Sequence, residues 1–114
     1  MDFLPRRKGE ATLQSEFYRQ AKNKGLPIFC EYPSRWNESP GARFDCVIHA
    51  AGKIRALVEI KATANKSDRR ISWPQTRQGK KYLSFNIPVF LVCDESDFSE
   101  IWEWSLSAGL LPPI

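Results

Sequence analysis

The chain has 114 residues, with 17 Lys+Arg against 13 Asp+Glu for a formal charge of +4, and 42% of its residues are hydrophobic. That suits one compact domain with its own core, is too little for two, and excludes a disordered polyion. The longest apolar run, residues 87–93, is far short of the roughly 20 residues of a membrane helix, and no apolar stretch follows the N-terminal basic residues, so a cytoplasmic protein without a membrane partner is expected.

Residues 1–9 read as a basic arm and 10–114 as a single domain. From Glu10, Leu13, Phe17 and Ala21 recur at helical spacing until Gly25 and Pro27 stop the helix. Residues 28–32 read as a short strand and 33–41, rich in Pro, Ser and Asn, as a loop. Over 43–49 the chain alternates, with Phe44, Cys46 and Ile48 on one side and Arg43, Asp45, Val47 and His49 on the other. Ala51-Gly52-Lys53 reads as a hairpin turn into a second strand, 54–61, and the polar, basic stretch 63–70 as a loop. Residues 72–85 read as a helix with Pro74 in its first turn and Asn86 at its close. The near-continuous apolar run 88–93 has the pattern of a central strand. After a turn at 94–97, residues 98–106 fit a strand or a short helix equally well. The order α-β-β-β-α-β predicts an α/β domain with a mixed sheet flanked by helices.

Cys30, Cys46 and Cys93 are an odd, widely spaced set in apolar segments, and are expected as reduced, buried core thiols. The single His49 excludes a two-histidine metal motif.

One pattern is hard to explain by folding alone. Glu59 and Lys61 share a strand face, and Asp45 lies on the preceding strand among apolar neighbours. Carboxylates inside apolar strands are costly to desolvate unless paired or bound to a cation, and two brought together repel unless one is protonated or a divalent ion lies between them. Magnesium suits one or two carboxylates, and a lysine beside them can hold water or phosphate. Alone, a Glu-x-Lys on a solvated sheet face needs no function.

The ordered pieces resemble the PD-(D/E)xK nuclease superfamily, and within it the VRR-NUC and archaeal Holliday-junction resolvase branches. Gly41-Ala42-Arg43-Phe44-Asp45 resembles the first half of the motif, Val58-Glu59-Ile60-Lys61 the second, and Ile71-Ser72-Trp73-Pro74-Gln75 the VRR-NUC Ser-Pro-x-Gln segment. Pro40 stands five residues before Asp45 rather than beside it. The resemblance implies a restriction-endonuclease-like core and hydrolysis of DNA phosphodiester bonds with Mg2+, or Mn2+ in its place. It implies Asp45, Glu59, the Ile60 carbonyl and Glu16 as metal ligands, and Lys61 and Gln75 as groups orienting water or phosphate. Gln78 competes with Gln75, since Gln78 and Tyr82 form a Gln-x-x-x-Tyr pattern similar to RecB-like exonucleases; the spacing of Gln75 to Pro88 favours Gln75, and Tyr82 is expected to pack in the core. Glu16 also fits plain helix solvation. Ser34 falls where resolvases carry a functional serine, and also fits ordinary turn chemistry.

Arg43 is placed to touch phosphate or to pair with Asp45 or Glu16. Lys66, Arg69 and Arg70 follow the second strand, where a DNA backbone would pass, and the acids alone would repel it. No base-reading module is visible, so structure-dependent cutting of branched or junction DNA is expected. Cutting two strands asks for two sites, hence a homodimer, with the apolar tail around Ile101, Trp102 and Trp104 either as its interface or as closure of the sheet edge. The opposing reading is a non-catalytic nucleic-acid-binding or assembly module on a nuclease-like fold.

Overall fold

The computed structural model describes residues 8–33 and 43–112. The chain runs α1 (Lys8–Lys24), β1 (Ile28–Pro33), β2 (Arg43–Ala50), β3 (Lys53–Ile60), α2 (Lys66–Ser72), a 3-10 turn (Trp73–Gln75), α3 (Arg77–Leu83), β4 (Val89–Val92), a second 3-10 turn (Glu95–Asp97) and α4 (Phe98–Ser107). The result is a small α/β domain with a mixed four-stranded sheet in the order β1-β2-β3-β4. The expected loop at 33–41 lies, beyond Pro33, outside the described residues.

The first three strands are antiparallel, and β4 joins β3 in parallel. Between β2 and β3 the chain turns on Ala51 and Gly52, with φ of 55° and 79°, the paired left-handed conformation that matches strand twist in a two-residue hairpin. Parallel pairing of β3 with β4 needs a crossover, which α2, the 3-10 turn and α3 provide.

The sheet is covered on both faces. On one, Leu13, Phe17 and Ala21 of α1 and Phe98 and Ile101 of α4 pack on Ile28, Cys46, Ile48, Val58 and Ile60. On the other, Val47, Ile54 and Leu57 meet Trp73 and Tyr82. This double cover explains why β4 reads as a central strand while standing at the sheet edge: Val92 packs into the first layer, and Val89 and Leu91 against the second.

Several expectations are corrected. The first helix starts at Lys8, so it takes the end of the supposed arm. The loop expected at 63–70 is largely α2, because Lys66 and Arg70, one turn apart, both reach the buried Asp97. The helix expected over 72–85 is split: Thr76 is extended, and its hydroxyl caps α3 by accepting from the Gly79 N–H at 3.0 Å. Gly79 is needed there, since a Cβ at that position would lie 2.1 Å from the Trp73 carbonyl oxygen. Asn86 does close the segment, with φ of 60°.

The ambiguous tail is a helix, and its aromatic residues belong to the chain's own core. Trp102 stacks on Phe17 with ring centroids 5.4 Å apart, Trp104 meets Phe90 edge-on at 5.5 Å, and Ile101 is fully buried. The expectation of reduced thiols also fails in part: Cys30 and Cys46, opposed in the β1–β2 register, form a disulfide, and Cys93 is a buried free thiol. No described helix is long and apolar enough to cross a membrane.

Candidate active site

The β2–β3 register pairs Cys46 with Val58, so one step along, on the face toward α3, Asp45 comes beside Glu59. Asp45 Oδ2 accepts a hydrogen bond from the Ile60 N–H at 2.8 Å, which fixes the carboxylate against the end of β3. The Ile60 side chain is buried in the opposite layer, so only its backbone faces this site. Lys61, just past β3, places Nζ 3.3 Å from Glu59 Oε2; its side chain is 29% exposed, whereas that of Glu59 is 2% exposed. The pair therefore has a buried acid below and a solvent-reaching cation at its rim.

Burial pushes the Glu59 carboxyl up to about 8, the neighbouring Asp45 charge adds to the shift, and Lys61 partly opposes it. Among the described residues its Oε1 has no hydrogen-bond partner. A buried carboxyl oxygen without a donor is costly, so a fold that keeps one leaves a place for a proton or a cation.

Tyr82 and Gln78 back this site from α3. Tyr82 is buried, its ring edge-on to Trp73 at 5.6 Å, and its hydroxyl pKa is pushed up by burial and by the charges of Glu59 and Asp45. Gln78 accepts from Trp73 Nε1 at 3.2 Å and hydrogen-bonds with Tyr82. Gln78 is thus the glutamine tied to the acidic pair, whereas Gln75, in the 3-10 turn, is exposed. The Gln-x-x-x-Tyr spacing puts both side chains on one helix face, and Tyr82 packs in the core with Trp73 as expected while also lying beside the acids.

The remaining expected site residues are placed differently. Glu16 is held by Arg19 and by Gln20 Nε2 at 2.8 Å, and lines a hollow with Leu13, Ala62 and Cys93. It does not join Asp45 and Glu59: among the described residues no group of three or more His, Cys, Asp and Glu side chains is placed to hold a metal. Ser34 lies outside the described residues. Arg43 begins β2.

Of the four expected DNA-binding cations, Lys66 and Arg70 are engaged internally. Lys66 Nζ lies 3.0 Å from Asp94 Oδ1 and 3.4 Å from Asp97 Oδ1, and Arg70 pairs with Asp97. Asp97 also accepts from the Cys93 N–H at 2.8 Å, so these charges fasten α2 to the chain after β4. Arg69, on the same helix, is half-buried. Compared with protein families, with curated proteins and with solved structures, the chain matches none.

Proposed function

We propose that the chain is a metal-dependent endonuclease that hydrolyses DNA phosphodiester bonds, built on a restriction-endonuclease-like core of the PD-(D/E)xK type. The observation that carries this reading is the Glu59 carboxyl, buried beside Asp45 with one oxygen lacking a partner and with Lys61 at its rim. That donor set fits a hard divalent cation: two adjacent carboxyls, of which Glu59 is held toward its protonated form by burial and by the Asp45 charge, together with the Ile60 carbonyl. Asp45, Glu59 and that carbonyl would hold Mg2+, which when bound supplies Lewis-acid polarisation of a phosphoryl oxygen and of attacking water.

The chain's own residues do the rest. Asp45, pinned by the Ile60 N–H, keeps a fixed position at the end of β3. Lys61 reaches solvent while staying near Glu59, so its ammonium can donate to a phosphate oxygen as negative charge grows there. Tyr82 and Gln78 close the inner wall and keep Glu59 from bulk water. Structure-dependent cutting of branched or junction DNA is the substrate class that fits a chain with no visible base-reading element.

The non-catalytic reading draws support from Lys66 and Arg70, whose internal pairing makes the basic surface smaller than the sequence suggested. The two readings separate on nicking of supercoiled plasmid with Mg2+ against EDTA. Asp45→Asn and Glu59→Gln are expected to abolish nicking and retain DNA binding. Absence of nicking by the wild type, or full activity in either variant, would overturn the proposal.

A further inference from the structure

Resting on the nuclease reading but drawn from another surface, we infer that the hollow between α1 and β1 seats an unpaired nucleobase of a DNA strand approaching Asp45 and Glu59. The hollow has a volume of about 400 Å³ and is lined by Gln14, Ser15, Tyr18, Phe29 and Cys30. That is the low end of the size of small-ligand sites, about 300–1,000 Å³, and suits one ring system rather than a duplex. Tyr18 and Phe29 are 40% and 47% exposed, among the few large apolar residues the fold leaves in contact with water.

These two rings share a cation. Lys22 Nζ lies 5.6 Å from the Tyr18 ring centroid and 5.7 Å from that of Phe29. Exposed rings gathered around an ammonium match a ligand that carries both a π-face and a negative charge, as a nucleotide does. Of the two acids on the same helix, Glu10 lies in its first turn and Glu16 is held by Arg19 and Gln20. His49 meets the Phe29 ring edge-on at 6.0 Å and steadies it from β2.

The position suits a strand bound for the acidic pair. Phe29 is in register with Val47, two residues from Asp45 on the same face of β2; α1 covers the opposite face, and β1 is an edge strand among the described residues, so a strand leaving the hollow reaches the acids around the β1 edge. Strand geometry puts the Phe29 backbone about 8 Å from that of Asp45. A base stacked there leaves its own strand within a few nucleotides of the carboxyl pair.

The test is fluorescence anisotropy in EDTA with a labelled oligo-dT strand and a blunt duplex of equal length. The single strand should bind more tightly. Phe29→Ala should weaken it roughly tenfold or more while Phe29→Trp retains binding. Lys22→Ala should lower the slope of log K against log salt by about one. If Phe29→Ala fails to fold, Tyr18→Ala reads the same loss from the helix side. Wild-type affinity in the alanine variants, or preference for the duplex, overturns the inference. If plasmid nicking persists in that case, only the stacking site falls; strand binding without nicking instead removes the nuclease reading alone.

Discussion

At the scale of single residues, the chemistry concentrates in Glu59 and Lys61. Folding raises the Glu59 carboxyl to about 8 from an ordinary value near 4.5. Between those two values the folded chain holds a proton that the unfolded chain releases. The stabilisation is therefore complete below the lower value and is lost as pH rises through the upper one. In EDTA, stability should fall across this window by on the order of 3–5 kcal/mol, and Glu59→Gln should flatten the fall; urea midpoints at stepped pH read both. A slope unchanged by the substitution would remove the assigned titration. Lys61, 29% exposed and 3.3 Å from Glu59, contributes little to folding. Lys61→Ala should fold and bind DNA yet lose roughly 10²–10³ in single-turnover cleavage. A variant that keeps its rate would return Lys61 to a plain ion pair.

At the scale of elements, the sequence was informative where period and local chemistry agree. The β2–β3 hairpin was legible because Phe44, Cys46 and Ile48 alternate with Arg43, Asp45, Val47 and His49 and Ala51-Gly52 turns the chain. Asp45 and Glu59 met for the same reason, since period two fixes their faces. The helix α2 was not legible: its basic residues look like a solvated loop until Asp97, far along the chain, supplies their counter-charge. Gln75 and Gln78 fall on different elements because Thr76 is extended between them, a break that nothing local announces. The tail was ambiguous by period, and only its packing on Phe17 decides that it is helical. Asp97 makes a further prediction. It is buried and accepts from the Cys93 and Asp94 N–H groups while pairing with Lys66 and Arg70. Asp97→Ala strands those donors and should cost about 2–4 kcal/mol, seen as a lower urea midpoint with reduced helical signal. A change within about 0.5 kcal/mol would mean that α2 is held by something else.

At the scale of the whole molecule, a chain of net charge +4 keeps two like-charged acids together inside its sheet, one of them without a full set of partners. A fold with the freedom to place a leucine there has no structural need for that arrangement. Filling the site with a divalent cation removes the repulsion, displaces the Glu59 proton and stabilises the folded domain by mass action. The most direct measurement is a calorimetric titration of the intact chain with Mn2+ near neutral pH, in buffers of different ionisation enthalpy. A carboxylate metal site gives saturable binding of about one ion with release of close to one proton, both lost in Glu59→Gln. Absence of saturable binding, or binding and proton release unchanged in that variant, would contradict a metal centre at Asp45 and Glu59.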